Sequence, residues 1–401
     1  MFQYKYSVLM LAIAASISTP ACASTDLSNI ASPYIIAGND VDTNTPASEN
    51  FMASLRNNKD GETPFCGATI INDQWVLTAA HCVVKGSGES AIVMAPSDIT
   101  ITAGLIDNSY PQKKHIFSAT HVVVHPQFSP VAVVKEDATG VTVVSTALDN
   151  DVALIRVGRK FVDLGKVSLP TLSVTREIEK RLAEEWKLAN DPQPSDRPSN
   201  IKVLGWGATH PSGNSSVMSS ILQRAVLSSF PIDLCYERLE SSENPGLIID
   251  NAANVTKLCA LPPKITGYIN NTPYGADACF GDSGGPIFAK NNNDEWLQVG
   301  IVSGSTVGDP ACGSMTRPGF YARVGYYTDW IIDNSSKKPI HPITPPDFLD
   351  DKYNDQDGDG CNDSISANNC NIGKDSDGGG SFGFIGLLLL CLSAFFRRLR
   401  K

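Results

Sequence analysis

Short apolar runs separated by turn residues fill the middle of the chain. Between about residue 50 and 335, stretches rich in Val, Ile and Thr, such as "GATIINDQWVLTAA", "HVVVHP", "DVALIRV", "IKVLGWG" and "LQVGIVSG", alternate with Gly, Pro and Asn. Strands of this length with this punctuation predict an all-β protein, a barrel or a sandwich. Two stretches break the pattern. Residues 130–148 read as a long loop with a strand of its own at "GVTVV". Residues 175–190, "TREIEKRLAEEWKLAN", have helical spacing and mixed charge, which predicts a solvated surface helix. "YTDWIIDNSS" reads as a short closing helix, and no internal repeat is evident.

Both ends of the chain differ from this middle. At the start, a lysine precedes the apolar run Val8 to Ile17, and small residues end in Ala21-Cys22-Ala23. That is the layout of a secretory signal peptide, 1–23, cut after Ala23. Residues 337–377 are rich in Pro, Asp, Asn and Gly with almost nothing to bury, and predict a linker. Residues 378–401 hold "GGG", an apolar run from Phe382 to Phe396 and the basic end "RRLRK". As a helix the run would span roughly 22 Å against a hydrocarbon core of about 30 Å. The basic cluster stands where a cytoplasmic flank belongs.

Composition narrows the function classes. The chain has 401 residues, 42% of them hydrophobic, which suffices for a substantial core. A net charge of −10 argues against a nucleic-acid surface. Ten cysteines in an exported chain point to disulfides in an oxidising compartment. Cys22 leaves with the signal and Cys391 sits in the apolar tail, so eight remain. No C-x-x-C occurs, so zinc and thioredoxin-type sites have no support.

The chemistry lies in three segments. "LTAAHC" holds His81, "NDVAL" holds Asp151 and "GDSGGP" holds Ser283. Alone, each residue reads more readily as a core histidine, a solvated aspartate or a turn serine. Together they supply what nucleophilic catalysis needs. A serine hydroxyl is a weak nucleophile until an imidazole takes its proton, and a carboxylate must fix that imidazole's tautomer.

With "GWG" at 205–207 and "PGFYARV" at 318–324, these motifs make residues 35–335 resemble the chymotrypsin/trypsin family of serine endopeptidases. The resemblance implies two six-stranded antiparallel β-barrels with a C-terminal helix, spanning 35–336. It makes His81 general base and acid, Asp151 its orienting carboxylate and Ser283 the nucleophile. The backbone N–H groups of Gly281 and Ser283 would form the oxyanion hole. Asp282 would pair with the amine of Ile35 after removal of a propeptide, 24–34, which makes the chain a zymogen. Asp277 would form the base of the primary pocket, flanked by Ser303, Ser305 and Gly319, and select Arg or Lys. The implied disulfides are Cys66–Cys82, Cys235–Cys259 and Cys279–Cys312, with Cys361 and Cys370 left to pair in the tail. No cofactor is required for such catalysis, and the partners are protein or peptide substrates and an activating protease.

Three departures from the family pattern matter. Tyr34 stands where Arg or Lys is usual before the new N-terminus, which implies activation by a protease with aromatic preference. Gly304 replaces a tryptophan, weakening the neighbouring subsite, and the Ser305 side chain is expected to narrow the pocket entrance. Phe280 makes the rim apolar. Two alternatives to Arg/Lys cleavage therefore stand: a narrowed pocket of other specificity, or a catalytically silent surface binding or adhesion protein.

The tail carries two further signals. "DQDGDGCND" places Asp355, Asp357, Asp359 and Asp363 as in a D-x-D-x-D-G calcium loop, but Ser366 occupies the twelfth position, so an acidic solvated linker fits equally. Residues 378–401 resemble the GlyGly-CTERM sorting tails of Gram-negative surface proteins. That resemblance implies type II secretion, a sorting protease and transient membrane association, ending on the cell surface or outside it. An uncleaved inner-membrane anchor is the alternative.

Overall fold

This computed structural model describes residues 35–42, 49–58, 64–137, 140–189, 196–214, 218–240, 247–306 and 308–354. The signal peptide, the propeptide with Tyr34, Cys361, Cys370, the four aspartates of the calcium-like loop and the sorting tail lie outside them. No helix among the described residues is long and apolar enough to cross a membrane.

The apolar runs become strands whose alternation has one face to bury, and barrel closure buries it without leaving an edge. Strands β1 (Met52–Asn57), β2 (Pro64–Ile70), β3 (Trp75–Thr78), β4 (Ile99–Ala103), β5 (Ile116–Val124) and β6 (Ala153–Val157) pair antiparallel in the order β6-β3-β2-β1-β4-β5. A β5–β6 ladder closes this first barrel. Strands β7 (Ile201–Gly205), β8 (Gln223–Phe230), β9 (Lys257–Leu261), β10 (Pro286–Lys290), β11 (Trp296–Ser305) and β12 (Gly319–Arg323) pair in the order β8-β7-β10-β11-β12-β9. A β8–β9 ladder closes the second. Counted within its own barrel, each set runs 1-2-3-6-5-4, so the topology repeats where the residue pattern does not. Leu55, Ile101, Phe117 and Leu154 belong to the first core, and Val203, Leu227, Ile287 and Val299 to the second.

Three segments differ in character from their sequence signals. The 130–148 stretch holds a full hairpin, Val133–Asp137 against Gly140–Ser145. The helix α1 (Leu172–Leu188) starts at a cap in which Thr171 Oγ1 accepts the Val174 N–H at 3.3 Å. It is not a merely solvated helix: Thr175, Ile178, Leu182 and Trp186, spaced at three and four residues, are buried. Charges on the remaining faces hide this stripe in the sequence. Arg323 ties the helix to the second barrel by pairing with Glu179.

After the closing helix α3 (Val324–Ser335), the segment read as linker returns to the first barrel. Ile343 and Thr344 pair parallel with Val122 and Val123 of β5. The Asp347 N–H donates to the Pro126 carbonyl at 2.8 Å, and Leu349 is buried in the first core. Tyr353 Oη accepts the Val93 N–H at 2.9 Å, and Lys352 Nζ donates to the Ala91 carbonyl at 2.9 Å. Residues 337–354 are therefore a strap. Its polar composition concealed this because the docking uses backbone groups and a few scattered side chains, Ile343, Leu349 and Tyr353, rather than a continuous hydrophobic face. Residues 355–377 of the expected linker lie outside the described residues.

Because Leu349 is buried in the first core, Leu349→Ala should remove about 2–5 kcal/mol of burial and lower the thermal midpoint by several degrees. Phe348→Ala, at a neighbouring exposed side chain, should barely move it. Equal small shifts in the two melting curves would show that the strap does not pack.

Candidate active site

The two barrels each supply part of one constellation. The first provides His81, on the one-turn helix Ala80–Val83 just after β3, and Asp151, two residues before β6. His81 Nδ1 lies 2.7 Å from Asp151 Oδ2, and the His81 backbone N–H donates to Asp151 Oδ1 at 2.8 Å. The carboxylate thus grips both the ring and the main chain of the histidine. With Nδ1 held as donor to a carboxylate, Nε2 is the nitrogen left to accept a proton. Asp151 is fully buried, while the His81 side chain keeps 23% exposure.

The second barrel provides Ser283, in the turn before β10, and Ser303 on β11. Ser283 and His81 line one cavity of about 400 Å³ together with Asp277, Ser303, Ser305 and Gly319. The Ser303 hydroxyl donates to Asp151 Oδ2 at 2.5 Å, so this pocket residue also completes the aspartate's hydrogen bonds across the seam. The sequence placed Ser303 only in the pocket wall. A serine inside an apolar strand was the available signal.

The serine turn depends on glycine. Gly281 holds φ +94° and Gly284 φ +78°, where side chains are strained. At the seam the Gly67 N–H donates to the Ser283 carbonyl at 2.7 Å. A Cβ at Gly67 would sit 2.9 Å from Gly285 Cα, so β2 and the serine turn meet backbone to backbone.

Two buried carboxylates flank this turn. Asp277, which lines the cavity at 5% exposure, accepts the N–H groups of Ala278 at 2.9 Å and Gly313 at 3.0 Å. Burial pushes its carboxyl up to about 7 against these bonds, and nearby Asp282 adds to the rise. Asp282 accepts the N–H groups of Gly207 at 2.8 Å and Cys279 at 2.9 Å, and burial lifts it too to about 7. Side chains at Gly205 or Gly207 would collide with it, which accounts for the "GWG" motif. Ile35 is fully buried in the second core, and Ile36 pairs with Asp277.

The pocket is open. Gly319 faces Ser305 across the β11–β12 ladder, and a Cβ at Gly319 would point to within 3.7 Å of Asp277 Oδ1. Ser305 lines the cavity and is exposed, and Phe280 stands out at 58% exposure. Cys66–Cys82 braces the histidine turn, Cys279–Cys312 the pocket, and Cys235–Cys259 joins α2 (Ile232–Leu239) to β9. Cys66, His81 and Cys82 have the proximity of metal ligands, but the two sulfurs are bonded to each other, so neither offers a thiolate.

Known proteins show the same design. The Trypsin family model matches residues 39–331. Human transmembrane protease serine 5 is 30% identical over 67% of this chain and 46% of its own length. Human transmembrane protease serine 11B is 29% identical over 68% of this chain and 50% of its own. Trypsin-1 of Astacus astacus is 26% identical over 68% of this chain and 88% of its own. The chain thus spans about half the length of the two human relatives.

The seam contact makes Gly67→Ala a sharp test of barrel docking. It should cost about 1–3 kcal/mol through overpacking, read as a drop in thermal midpoint. Gly158→Ala, whose Cβ would find an ordinary 3.5 Å contact, should cost far less. Matching midpoints for the two variants would contradict the close approach.

Proposed function

This chain belongs to the trypsin family of serine proteases, and on that footing we propose that it is an endopeptidase cleaving after Arg or Lys. Ser283 attacks the scissile carbonyl while His81 Nε2 takes its proton. The same proton then passes to the leaving amine, and water repeats the cycle on the acyl-enzyme. Asp151 orients the imidazole and stabilises its charged form. Amides of Gly281 and Ser283 receive the oxyanion, and such a donor is worth about 10²–10³ in rate.

The observation that carries the specificity is Asp277. A buried carboxylate solvated only by two amides gains more from a cation than one in water does. The open wall at Gly319 gives a guanidinium or ammonium access to it. The exposed position of Ser305 counts against the narrowed-pocket alternative, and the His81–Asp151–Ser303 contacts count against a silent binding protein.

Activation follows the same logic. Ile35 holds φ +47°, a left-handed geometry that is strained for a β-branched residue by about 1–3 kcal/mol. Part of that strain is steric conflict with the preceding carbonyl. Cleavage after Tyr34 removes that carbonyl and frees an amine at Ile35, within the second core, for Asp282 to take up. We read Tyr34 as the mark of an activating protease with aromatic preference. Residues 1–23 and 378–401 complete the proposal as export signal and sorting tail.

The deciding experiment uses chain cut to begin at Ile35 and matched peptides ending in Arg, Lys, Tyr, Leu or Ala. Strong preference for Arg and Lys, abolished in Ser283→Ala, is expected. Preference for the small or aromatic residues would overturn the assignment of Asp277. Asp277 also sets a pH dependence. A cationic ligand such as benzamidine binds the ionised carboxylate, so its affinity should rise with pH up to about 7 and then level. In Asp277→Ser, titration calorimetry should find weak binding without that rise.

A further inference from the structure

Lys257 is 2% exposed, yet no carboxylate touches its ammonium among the described residues. It opens β9 and reaches instead for three neutral oxygens. Nζ donates to Thr146 Oγ1 at 2.8 Å, to the Ala147 carbonyl at 2.7 Å and to the Ile248 carbonyl. The Phe320 ring lies 5.5 Å away. Thr146 and Ala147 open the stretch that leads into Asp151, and Ile248 belongs to the turn 247–249. That turn is gathered from its other side by Glu240, whose carboxylate accepts the N–H groups of Leu247, Ile248 and Ile249 at 2.8–3.0 Å. The two segments also meet directly, with the Ala147 N–H donating to the Leu247 carbonyl at 2.7 Å.

The stretch being held is strained. Leu148 has φ +52° and Asn150 φ +50°, conformations that persist only where surroundings impose them. Thr256 Oγ1 donates to Asp149 at 3.1 Å and Tyr327 Oη to Asn150 at 3.1 Å, so the second barrel and α3 fix both neighbours. Leu148 packs against Gly304, a residue that lines the cavity. A Cβ at Gly304 would lie 3.3 Å from Leu148 Cδ1 and 2.8 Å from the Phe320 ring, so these two side chains close over the glycine beside the pocket.

We propose that Lys257 is a positioning residue for the substrate cleft, its ammonium tying the Thr146–Ala147 segment to the 247–249 turn and thereby fixing the wall that Leu148 presents beside the primary pocket. This rests on the protease reading above. The ammonium matches three donors to three acceptors, whereas a neutral amine has two N–H groups and must release one. Asp149, Asp151, Asp250 and Glu240 are the charged groups around it, all favouring the ammonium, but burial prevails and lowers the lysine to about 8. The tie therefore holds at neutral pH and slackens as pH rises through about 8.

The test compares two substrates of the Ile35-terminated enzyme with the same residue before the cut bond: a single-residue ester and a four-residue peptide amide. Lys257→Met should raise KM for the extended peptide by about tenfold, as expected for loss of hydrogen bonds from a charged group, and shift the ester less. In wild type the ratio of the two KM values should climb between pH 7 and 9, and in the variant it should stay flat. Taking the ratio cancels effects common to both substrates, such as titration of the Ile35 amine. Thr146→Val, which removes one acceptor, should shift the ratio in the same direction by less. A pH-flat ratio in wild type, or equal losses on both substrates in the variants, would overturn the role of Lys257. Failure of wild type to cut either substrate would overturn the protease reading, and this inference with it.

Discussion

The carboxylate of Asp151 is where the two barrels become one site. It takes the His81 main chain and ring from its own barrel and the Ser303 hydroxyl from the other. Serine and histidine stand on different barrels, so their alignment is only as good as the seam. The Gly67–Ser283 contact brings the backbones together, and Asp151 fixes the imidazole there. A misplacement on the order of 1 Å is enough to lose about a hundredfold in rate. Much of the surrounding structure, from the Cys66–Cys82 bridge to the glycine turn, serves to prevent it.

Buried charge recurs around this centre, and each instance is met by backbone dipoles. Asp277 and Asp282 each receive two amides, and Lys257 faces two carbonyls and a hydroxyl. Such solvation is strong enough to keep a charge inside and weak enough to leave its pKa near neutrality. Each group therefore stays responsive: on the proposal above, Asp277 to a cationic ligand, Asp282 to a new terminus and Lys257 to pH. A complete ion pair at any of these positions would hold the protein rigid but leave it indifferent to those events.

Outside the centre, the additions to the barrels are integrated rather than hung on. Helix α1 buries a stripe on the second barrel and is locked by Arg323, while the strap from 337 to 354 pins the hairpin that follows His81. Val84 and Val93 pair in that hairpin, so the strap's Tyr353 acts two strands away from His81. Both were read from sequence as solvated or unstructured because charge and proline dominate their composition, and composition does not reveal which single face or backbone edge is used.

The sequence by itself determined the strand-rich class, the three segments that hold His81, Asp151 and Ser283, the glycine turn and the cysteines able to pair, because these rest on residue type at fixed local spacing. A glycine at 281 or an aspartate at 277 can be read without coordinates, since each is a residue type standing inside a short local motif. Tertiary structure alone decided how distant segments meet. It revealed the repeated barrel topology, the Ser303 bond to Asp151, the return of the strap and the three acceptors around Lys257. A lysine at the head of "KLCAL" looks like a solvated strand end until the loops at 146 and 248 close over it. The reason is physical: burial and hydrogen-bond partners across a hundred residues are properties of packing, and no local pattern encodes them.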